Sequence, residues 1–496
     1  MKSQSYRLIF IFIIMLLFAY GGTRLADQSQ IVRTFPLDTT NDGSSYMAKL
    51  HFLYEFGYHK MVYKWYAPEG FRLFETDTPG WYYFTLPIYI LLKDVKSATF
   101  VSLIAIYIIM AILFFIIGKI EKLSQLETGA LFALFAFSPM CIGDYIRQVR
   151  MPQMFSWISL LALFAIIFYF KNKKIDKRFF IISPFIALLI LSHQLETVLF
   201  FFAGLPCIFL IKKSLRERAI ILISTLLGIL MSAFWLIPFL LNSANSSMLE
   251  YAEYAGSKWL LDFSGGFKFA NIAAIALGIA LLAVFALYFY KNKNLKSEIL
   301  FFSPIIILDI LFLTRLVVYL PIIKHVYIDA YMQFFAFFFL FILFKCYRKF
   351  NFMKYALILL PIGFIIISLI HTPWFVAPTQ EELDSLSIFG EVNGTYMFAG
   401  NWSARMYPMA LVSYAAIYYP VNSRMGWSFS DNIDHRHKTA KFRKAFLDNN
   451  KEDFLRLMNE LKIDEVISYG NDCYKLREFG LHFKAQKSML CLYSIE

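Results

Sequence analysis

Charge is scarce in this 496-residue chain: Asp, Glu, Lys and Arg together make up 17% of it, below the roughly one quarter typical of soluble domains. That scarcity argues against a water-soluble globular protein. Cysteine is sparse as well, and the five thiols show no metal-ligand spacing. Cys141, Cys207 and Cys346 fall in or beside apolar runs, where a thiol acts as a small hydrophobe. Only Cys473 and Cys491 lie in a polar region, and they are candidates for a disulfide if that region is extracytoplasmic. There is no P-loop, no dinucleotide-binding glycine fingerprint and no nucleophile elbow, hence no sign of an ATP-driven motor. No small-x-small cleavage site follows the first apolar run, Leu8 to Tyr20, so that run reads as a retained span.

What is abundant is apolar and aromatic: 59% of residues are hydrophobic, 55 are Phe, and the mean hydropathy is +0.56. A crossing helix needs roughly 20 apolar residues for a core about 30 Å thick. Candidate crossings fall near 7–25, 97–118, 127–144, 153–170, 178–192, 195–211, 219–241, 269–290, 298–314, 328–345 and 353–371. The expected fold class is an all-α polytopic membrane bundle of about eleven transmembrane helices, with a small α+β C-terminal domain. The domain boundary is expected at residues 371/372.

A net charge of +13 would suit a nucleic-acid binder, but the basic residues sit in short clusters between apolar runs. They read as topology signals. With a cytoplasmic N-terminus, the clusters at 119–122, 171–178, 212–218, 291–296 and 345–354 all fall on the cytoplasmic side. The long loop 26–96 and the tail 372–496 then lie outside. Within the loop, Ser44 to Tyr58 is expected as a helix, and the aromatic stretch Trp65 to Tyr83 as interfacial helices. In the tail, Lys441 to Leu461 reads as amphipathic helix, and Glu465 to Tyr469 and Met489 to Tyr493 as strands.

Asp42 opens the loop helix, where the plain reading is an N-cap and the functional one a carboxylate at the membrane surface. Asp144, Arg147 and Arg150 follow the third candidate span. A snorkelling ion pair explains them, and so does a second acid that joins Asp42 around a hard divalent cation such as Mg or Mn. His193 and Glu196 stand at the outer end of a short span, as a solvated turn or as a polar site. Arg315, Lys324, His325 and Asp329 combine with tyrosines, either as an aromatic belt with snorkelling bases or as a phosphate-binding group. Asp309 is an ionisable residue inside a span. Asn-x-Ser/Thr triplets occur at Asn245, Asn393 and Asn401.

Three stretches carry a resemblance: Asp42-Gly43-Ser44 through Glu55-Phe56-Gly57, then Trp65-Tyr66-Ala67-Pro68-Glu69-Gly70-Phe71, then Pro79-Gly80-Trp81-Tyr82-Tyr83. Together they resemble the first loop of GT-C-type membrane glycosyltransferases, in particular the 6-pyruvoyl-tetrahydropterin-synthase-related prokaryotic membrane proteins. Gly426-Trp427 resembles a Gly-Trp in the external domains of that group. The chain departs from the pattern at Ser45 and Tyr46, where a His is common, and at Pro79, which stands alone. It departs again at Ala330 and Met332, near the place of an Arg. The Trp-Trp-Asp-Tyr-Gly signature of oligosaccharyltransferases is missing. The resemblance implies inverting transfer of a sugar from a polyprenyl-phosphate donor to a glycan or lipid acceptor outside the cytoplasm of a prokaryote. It implies Asp42 as general base beside Trp65 and Trp81, and Asp144 as a support for metal or acceptor. Arg147, Arg315, Lys324 and His325 would hold the leaving phosphate, with Arg150, His193 and Glu196 as further substrate-binding candidates. A transporter or flippase for lipid-linked glycans, or a non-catalytic envelope scaffold, stands as the alternative.

Overall fold

The computed structural model describes residues 2–37, 42–143, 149–212, 214–243, 259–264, 268–290, 295–350, 352–372, 374–403, 405–427 and 433–495. Asp38, Asp144, Arg147 and Asn245 lie outside them. The chain forms two compact units. A membrane unit holds Met1–Leu25, Leu103–Ile237 and Glu250–Pro373. A mixed unit holds Ala26–Ser102, Pro238–Leu249 and Trp374–Glu496, so that the long first loop and the tail fold together.

Among the described residues, six helices are long and apolar enough to cross a bilayer: Tyr6–Arg33, Val95–Ile120, Met151–Lys171, Gln194–Ile211, Phe269–Tyr290 and Ile328–Cys346. A further pair, Leu215–Met231 and Ala233–Asn242, passes the same test together but is bent by 72°. At the break the Ser232 hydroxyl donates to the Ile229 carbonyl, a local bond of the kind that competes with the helical ladder. Helices also occupy the other expected crossings, but they are shorter or more charged. Gln125–Ala136 stops ahead of Pro139, Ile182–Ser192 is one of a short pair, and Leu295–Leu313 carries Lys296, Glu298 and Asp309. Tyr355–His371 falls just under crossing length.

Stacked aromatic rings join Met151–Lys171 to Ile328–Cys346 in the membrane unit. Phe164 stacks on Phe337 with ring centroids 5.2 Å apart, and one turn on Phe168 stacks on Phe341 at 4.7 Å. Residues spaced by four face each other in the same order along both helices, so the two run parallel. Helix association in lipid has no hydrophobic drive, and close packing of this kind supplies it. At the far end of the same helices Lys171 pairs with Glu298 at 2.7 Å, and Lys345 pairs with Glu121.

The mixed unit is built on a five-stranded sheet in the order β4-β3-β5-β7-β6. Its strands are β3 (Thr395–Phe398), β4 (Asn422–Ser423), β5 (Glu465–Tyr469), β6 (His482–Lys487) and β7 (Leu490–Ser494). β3 pairs in parallel with β4 and β5; β7 pairs antiparallel with β5 and β6. The expected amphipathic stretch forms two helices, Ile433–Leu447 and Lys451–Glu460. Phe442, Phe446, Phe454, Leu457 and Met458 of these helices cover Val466 and Tyr493 of the sheet. Cys473 and Cys491 form a disulfide with Cα atoms 5.9 Å apart.

The first loop departs from expectation between Trp65 and Tyr83. In place of a run of interfacial helices it makes a short antiparallel ribbon, β1 (Met61–Val62) with β2 (Phe71–Arg72), and a single helix, Gly80–Leu92. Pro68 and Gly70 break helix here. Gly70 has φ +70°, and a Cβ on it would stand 2.7 Å from the Val62 carbonyl. The ribbon's connecting segment completes the sheet: Ala67 N–H donates to Ser423 O and Ser423 N–H to Lys64 O, both at 3.0 Å. The edge of β4 is thereby paired. Arg424 is buried, donating to the Ala67 carbonyl and the Glu69 carboxylate. Trp65 lies against Gly426 so closely that a Cβ there would meet the Trp65 Cβ at 2.7 Å.

Two outcomes follow for stability. Cys491→Ser opens a loop closed by a sequence separation of 18 residues, which costs roughly 3 kcal/mol. Thermal unfolding of the purified protein with and without reductant checks this, the parent shifting on reduction and the variant not. Gly426→Ala forces Cβ into the Trp65 indole and is expected to destabilise by about 1–3 kcal/mol, read as a lowered denaturation midpoint.

Candidate functional site

In the membrane unit, the candidate residues gather where helices Met151–Lys171 and Ile328–Cys346 begin. Arg150 caps the first helix and pairs with Asp329 in the first turn of the second. Asp329 also accepts from the Ala330 N–H at 3.0 Å. One turn deeper the polar contacts continue inside the bundle. The Gln333 side-chain oxygen accepts from Trp157 Nε1 at 2.8 Å and from Gln153 Nε2 at 3.3 Å, and its amide nitrogen donates to the Met140 carbonyl at 2.9 Å. Gln153, Trp157 and Gln333 are all buried. A buried amide costs free energy unless its hydrogen bonds are made, and this one is fully engaged. Arg150, Gln153 and Trp157 are spaced i, i+3, i+7, and Asp329 and Gln333 i, i+4, so each set occupies one helix face.

His193 stands in extended backbone between helices Ile182–Ser192 and Gln194–Leu199, and its ring nitrogen Nδ1 pairs with Glu196. Glu196 is 1% exposed, and its Oε1 has no hydrogen-bond partner among the described residues. Helix Gln194–Leu199 touches both Ile328–Cys346 and the 3-10 turn Ile323–His325 that carries Lys324 and His325. That turn adjoins the turn Leu316–Tyr319, which Arg315 precedes with φ +61°. Arg150, His193, Glu196, Lys324 and His325 therefore belong to contacting elements of one region, with Arg315 on the neighbouring turn. Asp309 is elsewhere in the same unit. It is fully buried, neither carboxyl oxygen has a hydrogen-bond partner among the described residues, and Oδ1 lies 2.7 Å from the point where a Gly278 Cβ would stand.

In the mixed unit, Asp42 begins helix Asp42–Phe56, which lies against Pro408–Tyr418. Tyr82 is buried, and its phenol is pushed well above its ordinary value by burial, reinforced by the charges of Asp77 and Asp42. Those two carboxylates thus lie within electrostatic reach of one phenol. Asp77 is held by Lys49 at 2.8 Å. Trp65 and Trp81 are both fully enclosed. Trp65 packs on Phe52 and Phe71, while Trp81 packs on Tyr82 and donates from Nε1 to Ser102 Oγ at 3.3 Å. Among the described residues no three His, Cys, Asp or Glu side chains converge on a point that suits a metal ion. Asp144, the other ligand expected beside Asp42, lies outside the described residues.

Gln153 and Gln333 were missing from the sequence-based candidates, whereas Asp329 was among them. The signal was present, because polar residues at helical spacing on two otherwise apolar spans mark facing sides.

No family model matches the chain, and no curated protein matches it. Solved structures do. The Archaeoglobus fulgidus oligosaccharyltransferase in its apo form aligns with a TM-score of 0.56 at 10% identity, over 94% of this chain and 69% of that one. The oligosaccharyltransferase AglB from Archaeoglobus fulgidus, in complex with an inhibitory peptide and a dolichol-phosphate, aligns at 0.53 and 11%, over 100% and 74%. The arabinofuranosyltransferase AftD from Mycobacteria aligns at 0.55 and 11%, over 97% of this chain and 40% of that one. At these identities the likeness is one of fold alone.

Proposed function

We propose that the protein transfers a sugar, with inversion, from a polyprenyl-phosphate-linked donor to an envelope glycan or glycolipid acceptor outside the cytoplasm. The observation that carries this reading is the basic and acidic cluster at the start of Met151–Lys171 and Ile328–Cys346, in a chain with the fold of proteins that act on lipid-linked sugars. A structure of one such protein holds dolichol-phosphate. A tie to the 6-pyruvoyl-tetrahydropterin-synthase-related branch rests on the first-loop motifs.

In this reading the acceptor hydroxyl attacks the anomeric carbon. Its proton passes to the Asp42 carboxylate as the new C–O bond forms. The bond from the anomeric carbon to the phosphate oxygen breaks, and its electron pair leaves on the phosphate. Arg150, Lys324 and His325, together with Arg147 and Arg315, offset that charge, as cationic donors do in a site shielded from water. Glu196 holds His193 in orientation. Trp65 and Trp81, being enclosed, support the loop around Asp42 and do not touch the substrate. A cation shared by Asp42 and Asp144 remains part of the proposal, but no step is routed through it.

Two features support an extracytoplasmic tail. The Cys473–Cys491 disulfide suits an oxidising compartment. The parallel run of Met151–Lys171 and Ile328–Cys346 agrees with the order in which the basic clusters number both helices as inward-going. The bent pair at Ser232 favours a second reading, a translocator of lipid-linked glycans, because transporters use broken helices.

Asp42→Asn separates the readings. Transfer from a synthetic polyprenyl-phosphate sugar by reconstituted protein is expected to fall by about 10²–10⁴-fold while folding is retained; undiminished transfer would refute the base. Arg150→Met is expected to lower kcat/KM about 10–100-fold, the scale of one lost charge-assisted hydrogen bond. If instead donor flipping across vesicles persists and transfer is never seen, the translocator reading prevails.

A further inference from the structure

The sheet of the mixed unit has a crevice that the transfer reading does not use. β3, β4 and β5 are parallel, and β3 lies between the other two. The chain leaves β3, returns to β4 on one side, then crosses to β5 on the other. At such a reversal the loops at the carboxyl ends of the two strands part, and ligands of open α/β sheets bind there. The end of β4 is already filled by Trp65 against Gly426 and by Arg424 on Ala67 and Glu69. At the ends of β3 and β5 the two following loops meet each other instead.

The loop after β3 is Ala399-Gly400-Asn401-Trp402-Ser403, and the loop after β5 is Gly470-Asn471-Asp472. They are locked together by polar bonds. Asn401 N–H donates to Asp472 Oδ2 at 2.7 Å, and Ser468 Oγ donates to the Ala399 carbonyl at 2.9 Å. Gly400, at φ +105°, has no room for a side chain, since its Cβ would stand 2.6 Å from Asp472 Oδ2. The disulfide at Cys473 fixes the residue next to Asp472. What this rigid frame presents to solvent is specific. Trp402 and Tyr469 are half-buried, with centroids 5.7 Å apart and planes at 39°. The Asn401 amide is exposed, and Asp472 Oδ1 takes no hydrogen bond among the described residues.

We infer that this crevice binds a neutral saccharide. An indole beside a phenol offers an apolar platform for the C–H face of a sugar ring. A preorganised carboxylate oxygen accepts from its hydroxyls, and an amide both donates and accepts. The carboxylate disfavours phosphates and other anions. The basic side chains nearby in sequence are committed elsewhere, Arg405 to Glu382 and the Val376 carbonyl, and Lys475 to the Leu447 carbonyl. The site belongs to the tail itself and does not depend on transfer.

The test is saturation-transfer NMR on the full-length protein in lipid nanodiscs, titrated with maltotetraose, cellotetraose and a linear arabinan fragment. At least one is expected to bind saturably, with affinity lowered tenfold or more by Trp402→Ala and by the isosteric Asp472→Asn, and unchanged by Asn393→Ala at the opposite, amino end of β3. If Trp402→Ala unfolds, Asp472→Asn decides alone, its fold checked by an intact disulfide and an unshifted melting temperature. Failure of all three sugars to bind, or equal binding by parent and variants, overturns the inference. An Asp42→Asn protein that loses transfer but keeps sugar binding separates this site from the transfer chemistry; a parent that transfers sugar yet ignores the panel refutes only the crevice.

Discussion

Inside a bilayer a polar side chain has no water to fall back on, so each one must find its partner within the protein. That constraint orders the membrane unit. The buried Gln333 amide makes contact with two residues of the facing helix and one main-chain carbonyl, and this fixes the register in which Phe164 meets Phe337 and Phe168 meets Phe341. Two ion pairs, Arg150 with Asp329 at one end and Lys171 with Glu298 at the other, sit at the helix termini; Asp309, buried within its own helix with no hydrogen-bond partner among the described residues, is an exception. Polar specificity in the middle and ion pairs at the ends thus divide the seam between them.

Much of this architecture was legible in the residues. Apolar runs located the helices, because lipid imposes a length and a composition that few other environments demand. Strands β5 and β7 and the helices Ile433–Leu447 and Lys451–Glu460 followed from ordinary alternation and amphipathicity, whereas the helices Pro408–Tyr418 and Asp472–Glu478 did not. The count of full crossings did not follow. Hydropathy registers a run such as 219–241 but not the Ser232 break that bends it by 72°. The ribbon β1–β2 was also hidden, since its fold depends on pairing with Ser423, more than three hundred residues away, and no local pattern reports such a partner. For the candidate site, the charged residues drew attention by their cost, whereas Gln153 and Gln333 did not, being uncharged and only jointly meaningful.

The mixed unit shows a second economy of design. The segment Lys64–Ala67 is both the outermost strand-like partner of the sheet and the anchor for Trp65, and Arg424 ties its turn down through Ala67 and Glu69. By closing the β4 edge, the first loop prevents that edge from pairing with another chain. It also fills one of the three carboxyl-end openings and leaves the β3–β5 opening as the one with an aromatic floor.

This pairing has a consequence for how the chain is made. Lys64 donates to the Tyr419 carbonyl across a sequence separation of 355 residues. At a synthesis rate of about 5–20 residues per second, roughly 20–70 s pass between the emergence of the loop and the arrival of the strand it completes. Throughout that interval Trp65 and Phe71 have only each other and Phe52 for cover, and the sheet partner of Lys64–Ala67 is not yet made. The loop cannot complete its sheet until most of the chain has been made, so translation sets a lower bound on the time in which the mixed unit can form.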